Sequence, residues 1–250
     1  MFRLMHKSKG STMFFSRKFL IAVAAVVVSV GMSASSQAAF FTIQDYIDGT
    51  APTGHTLTVD DKVFDFTNST FNTVNTGGAN GPTASQVFVI PEAGSPPGIE
   101  FQSALWNING IQSIDSTFNF TVTALGGNKI ADGEMNLLSF GARNGGLVAI
   151  TETLRTNPGN VFLTSLLVNS NTGNASDHVF LPSYQQSITV SKDVSISGNT
   201  AGSTDGVGAS FASLSTFDQR FSENPEPSSV VLLGLGVLGM VGYRWRRRGK

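Results

Sequence analysis

The chain has 250 residues, no cysteine and a formal net charge of -1. The charge is unevenly placed: residues 39–227 hold only six of the sixteen Lys and Arg but all seventeen Asp and Glu, so the central segment is strongly acidic. An acidic body repels phosphate backbones, which argues against nucleic acid as a partner, and a chain without cysteine has no thiol nucleophile and no thiolate metal site.

The N-terminal segment carries basic residues up to Arg17 and Lys18, then an apolar run from Phe19 to Val30, then small and polar residues up to Ser36, Gln37 and Ala38. This order of charged, apolar and small-residue regions is that of a secretory signal peptide over residues 1–38, forming a signal helix. Small residues at the third and first positions before the cut place cleavage after Ala38; a cut after Ala39 is the alternative. The run is short for a retained span of about 20 residues. The expected partners at this end are the Sec translocon and signal peptidase.

From Ala39 to Phe221 the periodicity is that of strands, and the expected fold is all-β: an antiparallel β-sandwich or jelly-roll-like extracellular domain. Phe118, Phe120 and Val122 alternate with Asn119, Thr121 and Thr123, the period-two pattern of a half-buried strand. Ser187 to Ser191 repeats it, and after Lys192 and Asp193 it resumes at Val194 and Ile196. Further strands are expected at 62–66, 86–90, 99–102, 135–140, 147–154, 161–168 and 211–221. Turn chemistry separates them, as in Gly77-Gly78, Asn80-Gly81, Gly126-Gly127 and Asn157-Pro158-Gly159. About nine short strands at this spacing suit a sandwich. Only Thr42 to Asp48 reads as helical, and residues 198–210, poor in bulky side chains, read as a long loop.

Few residues in this body carry chemistry. His55 and His178 stand alone in polar, loop-like contexts, without the spacing of a zinc helix and without a Gly-x-Ser-x-Gly elbow. No enzyme activity, cofactor or firm metal site is expected. Paired carboxylates beside turns, Asp45 with Asp48 and Asp60 with Asp61, are candidate Ca2+ ligands, since that ion takes oxygen ligands from flexible loops. Trp106, the one tryptophan of the body, is expected in the core, with sugar stacking as the competing reading. Two alternatives therefore stand beside a non-catalytic surface protein: a carbohydrate- or Ca2+-binding module, and a secreted hydrolase built on one of the histidines with a carboxylate.

After a linker at 222–227 that includes Pro225, Glu226 and Pro227, an apolar run extends from Val230 through Leu233, Leu235 and Leu238 to Tyr243, and Arg244, Arg246, Arg247 and Arg248 follow. As a helix this run spans about 21 Å against a hydrocarbon core of about 30 Å, so the 228–250 segment is a short transmembrane helix with an Arg-rich cytoplasmic stop. The two prolines disfavour helix on both sides and keep the preceding linker extended. The three-part order of Pro-Glu-Pro, glycine-bearing apolar helix and Arg-rich end resembles the PEP-CTERM sorting signal of envelope-building bacteria. That resemblance implies recognition by an exosortase in the membrane, processing at or near Pro225 to Pro227, a transient or retained anchor, and a final place at the cell surface or in a biofilm matrix beside exopolysaccharide. A tail that is never cut, leaving an inner-membrane protein, is the remaining alternative.

Overall fold

Thr42 caps the one α-helix found among the described residues. A computed structural model describes residues 40–199 and 209–223. The expected signal helix, the cleavage positions Ala38 and Ala39, the Pro-Glu-Pro segment, the transmembrane run and most of the 198–210 loop lie outside those residues. β1 (Phe41–Thr42) leads into α1 (Ile43–Ile47), where the Asp45 N–H donates to Thr42 Oγ1 and the Thr42 N–H donates back to Asp45 Oδ2 at 2.7 Å. This reciprocal cap contributes about 1 kcal/mol.

The strands that follow are β2 (Thr56–Val59), β3 (Lys62–Asp65), β4 (Phe71–Thr76), β5 (Phe88–Glu92), β6 (Gly98–Asn109), β7 (Ser113–Ala124), β8 (Ile130–Arg143), β9 (Leu147–Thr156), β10 (Phe162–Asn169), β11 (Ser176–Gln185), β12 (Ser187–Ser197) and β13 (Phe211–Arg220). One sheet runs β1-β5-β6-β13-β8-β11; the other runs β10-β9-β12-β7-β3-β2, with β4 also pairing with β7. Every pairing is antiparallel. The two sheets close on one core, so the described body is an antiparallel β-sandwich, as the alternating pattern predicts.

Inner positions follow the period. Ile114, Phe118, Phe120 and Val122 of β7, Ile188, Val190, Val194 and Ile196 of β12, and Val148, Ile150 and Leu154 of β9 are buried from one sheet. Ile99, Phe101, Trp106 and Ile108 of β6, with Ala212, Leu214 and Phe217 of β13, face them from the other. Phe101 links the sheets, its ring 4.9 Å from Phe118, 5.8 Å from Phe120 and 5.1 Å from Phe217. Fully burying a Phe contributes about 1.5–3 kcal/mol, so this aromatic cluster is a large part of the driving force.

Both β6 and β13 change parity midway, because the register between them shifts between Leu214 and Thr216. The bulge keeps Ile99 and Phe101 on the core side before it and Trp106 and Ile108 after it. Gly98 lets the strands approach at their other end: a Cβ there would fall 2.2 Å from the Gln219 carbonyl oxygen. Trp106 is wholly buried, and its indole N–H donates to Ser116 Oγ at 3.1 Å.

The strand boundaries expected for β3, β7, β9, β10, β12 and β13 agree with the structure to within a few residues, whereas β6 and β8 run well beyond the expected segments. β1, β2, β4 and β11 were not anticipated. β11 shows why: it is an edge strand whose only buried residue is Leu181, so no alternation marks it, and His178, expected in a loop, lies within it.

Candidate functional site

The four candidate Ca2+ ligands take up separate local roles. Asp45 closes the α1 cap, whose hydrogen bonds from the Thr42 N–H and hydroxyl hold its carboxyl below the usual carboxylate range. Asp48 accepts from Gln44 Nε2 at 2.8 Å, and Asp60 accepts from the Gly94 N–H at 3.0 Å. Asp61 accepts from Lys62 Nζ at 2.8 Å. Among the described residues no three His, Asp or Glu side chains gather to hold a metal ion.

Lys62 joins the start of β3 to the last described residues of the chain. Its ammonium is buried and donates to Asp61 Oδ1 and to Glu223 Oε1, both at 2.8 Å. Asn128 donates to the same two carboxylates. Burial raises Glu223, and the adjoining Asp61 carboxylate adds to the effect. The Ser222 N–H donates to Asp132 Oδ1 at 3.0 Å, the Phe221 N–H to the Pro97 carbonyl at 3.1 Å, and the Ala131 N–H to the Ser222 carbonyl at 3.0 Å. A cleft of about 390 Å³ lies beside this knot, lined by Asp61, Gly94, Ser95, Pro96, Ser222 and Glu223 among others. The chain is thus held firmly up to Glu223, two positions before Pro225.

The outer face of the six-stranded sheet carries the densest polar network. Arg220 donates to Asp218 Oδ2 at 2.7 Å and to Glu92 Oε2 at 2.9 Å, and Asn136 bridges Asp218 and Glu134 at 2.9 and 3.0 Å. Beside it, burial raises Glu100, with the Glu92 and Asp218 charges adding to the shift. On the edge strand β11, Phe180 is 71% exposed and Tyr184 51% exposed, and Phe180 meets the His178 ring edge-on at 4.7 Å. On the opposite sheet a groove of about 380 Å³ is walled by hydroxyls, among them Thr70, Thr117, Thr151, Thr153 and Ser191.

Of the two histidines among the described residues, only His178 meets a carboxylate: its Nε2 lies 3.0 Å from Asp132 Oδ2. His55 Nδ1 instead faces the Tyr46 carbonyl oxygen at 2.9 Å. Ser222 meets Asp132 through its N–H. The order is therefore serine, aspartate, histidine, with the carboxylate in the middle. Activation of a serine nucleophile needs the imidazole in the middle, hydrogen-bonded to the hydroxyl.

Two positions along the chain from Glu223 begins the segment that a family model recognises: the PEP-CTERM protein-sorting motif matches residues 225–248. The chain carries a PEP-CTERM sorting motif. The match covers Pro225, Glu226 and Pro227, the apolar residues Val230, Leu233, Leu235, Leu238 and Tyr243, and Arg244, Arg246, Arg247 and Arg248. No curated protein matched the chain. Among solved structures, TmCBM61 in complex with beta-1,4-galactotriose is 12% identical with a TM-score of 0.27, the alignment covering 60% of this chain and 88% of that one. TmCBM27, a carbohydrate-binding module described for mannan recognition, is 13% identical with a TM-score of 0.26, covering 60% and 89%.

Proposed function

We propose that this is a non-catalytic PEP-CTERM protein of the bacterial cell surface or extracellular matrix, exported through the Sec translocon, trimmed by signal peptidase after Ala38, and handled at its tail by an exosortase. The observation that carries this reading is the sorting motif at 225–248, which begins two positions after Glu223, a residue bonded to Lys62. In this reading Pro225, Glu226 and Pro227 are the recognition or cleavage segment, Val230 to Tyr243 the anchor, and Arg244 to Arg248 the cytoplasmic stop.

Intact-mass measurement of the protein recovered from the native host's envelope and medium tests it, alongside a variant with Pro225, Glu226 and Pro227 all changed to Ala. The expected wild-type product starts at Ala39 and ends near Pro227, with the variant keeping its tail in the inner membrane. A wild-type product that retains Arg244 to Lys250 overturns the exosortase reading and leaves a membrane-anchored periplasmic protein.

A second reading rests on the outer face of the six-stranded sheet. The exposed Phe180 of β11 and the Glu92, Arg220, Asp218 and Asn136 network of the same sheet supply the apolar surface and the polar groups that sugar rings require. The surface role is then contact with exopolysaccharide through this face. Trp106 has no part in it, being buried in the core.

A further inference from the structure

Three polar side chains meet in the apolar core where the two sheets face each other. Lys192 on β12 and Glu152 on β9 are direct register partners, and both side chains are completely buried. The Lys192 Nζ contacts Glu152 Oε2 and donates to the side-chain oxygen of Gln219, on β13 of the other sheet, at 2.7 Å. Met135 Sδ at 3.4 Å and the Phe217 ring at 5.5 Å complete the surroundings of the amine. Glu152 Oε1 and Gln219 Nε2 are both buried without a hydrogen-bond partner, the amide nitrogen lying near Glu152 without completing a bond to it.

As a structural element this trio is poor. Burial makes a lone Lys–Glu pair costly, and each unpartnered polar atom adds to the cost. As a set of reactants it is complete. Burial pushes the Lys192 ammonium down and the Glu152 carboxyl up, and both shifts act toward the neutral pair, in which the amine is nucleophilic. The carboxamide carbon of Gln219 is bonded to the oxygen that the amine already touches. Phe217 and Met135 help keep water from the site.

We propose that Lys192 and Gln219 become joined by an isopeptide bond, with Glu152 carrying the proton between them. The Lys192 Nζ lone pair forms a bond to Gln219 Cδ, and the carbonyl π pair moves onto Oε1. Glu152 accepts a proton from Nζ and delivers one to Nε2. The bond from Cδ to Nε2 then breaks, ammonia leaves, and the carbonyl re-forms. No oxidant, reductant or water is consumed. The product is a neutral secondary amide in place of an amine and a primary amide, so the unpartnered Gln219 Nε2 disappears with the ammonia. Because β12 and β13 belong to different sheets, the bond staples the sandwich through its centre.

The test is a tryptic digest of the full chain, purified folded and then denatured, read by tandem mass spectrometry. Between Arg155 and Arg220 the only trypsin site is Lys192. The bonded protein yields one looped peptide spanning 156–220, uncut at Lys192 and lighter than its sequence by one ammonia, about 17 Da. Lys192→Arg gives two peptides of unaltered mass, and Glu152→Gln gives cleavage at Lys192. A wild-type digest cut at Lys192 with Gln219 at its ordinary mass overturns the proposal, whether or not either variant folds. Loss of ammonia with Lys192 still cut, as an asparagine succinimide would give, overturns it equally. A linked Glu152→Gln protein overturns the role given to Glu152.

Discussion

Replacing Trp106 tests whether the body's single tryptophan serves the core or a ligand. The indole is fully buried between β7 and β13, its ring 5.7 Å from Phe217 and its N–H on Ser116 Oγ. Truncation of such a residue to Ala costs about 3–5 kcal/mol through lost transfer energy and the cavity left behind. No further penalty for an orphaned hydroxyl applies, because Ser116 Oγ keeps its 3.0 Å bond with Thr73 Oγ1. Trp106→Phe should cost less, about 1–2 kcal/mol, from one lost hydrogen bond and a smaller gap. At about 1.4 kcal/mol per factor of ten, Trp106→Ala lowers the folding equilibrium constant by about two to three and a half orders of magnitude. Urea unfolding followed by far-UV circular dichroism measures this: the midpoint should drop while the slope stays constant. An exposed sugar-stacking aromatic would change stability by no more than about 0.5 kcal/mol. A cost below about 1 kcal/mol for Trp106→Ala would therefore refute the placement of this residue in the core.

Asp132 gives a pH signature. Burial raises its carboxyl, but hydrogen bonds from Ser222 and His178 outweigh burial and leave it below its usual value. A depressed folded-state value stabilises the protein above the unfolded value of about 3.9, and this stability is lost as pH falls through the folded value. Asp132→Asn should therefore be less stable than wild type at pH 5 by about 1–3 kcal/mol, with the gap closing toward pH 2; a gap constant across that range would contradict it. Phe180→Ala tests the sugar-contacting face: migration in native gels containing the host's exopolysaccharide should lose its retardation, while stability changes by no more than about 0.5 kcal/mol. Retardation equal to wild type would remove that face from consideration.

Much of the sandwich is legible because its central strands alternate cleanly. In β12, Ile188, Val190, Val194 and Ile196 announce one buried face. The same parity puts Lys192 on that face, yet as a sequence Lys192 and Asp193 look like an interruption, because a charged residue is expected outside. The period was the better guide: the strand is continuous and the lysine is buried. The changes of direction in β6 and β13 were hidden for a different reason, since a bulge inserts an extra residue and breaks the repeat that a reader follows.

The candidate sites show the limits of proximity along the chain. Asp60 and Asp61 are neighbours in sequence but turn to different partners, Gly94 and Lys62. The Lys62–Glu223 contact joins residues 161 positions apart, and nothing local signals it. Asp132 meets His178 only because β8 and β11 pair. The tail is legible without any such pairing, because its meaning lies in the order of a breaker, an apolar run and a basic end within one short segment.

The position of β13 sets the order in which the molecule can be assembled. It lies between β6 and β8, so its sheet is split in two until residues 211–220 are available to fill the gap. For a chain threaded out N-terminus first, Phe101 and Trp106 wait with one side of their core unfilled while more than a hundred further residues emerge. Pairings between segments this distant are slow to form. The six-stranded sheet is therefore completed only by the last strand of the described body, whichever way the chain is delivered.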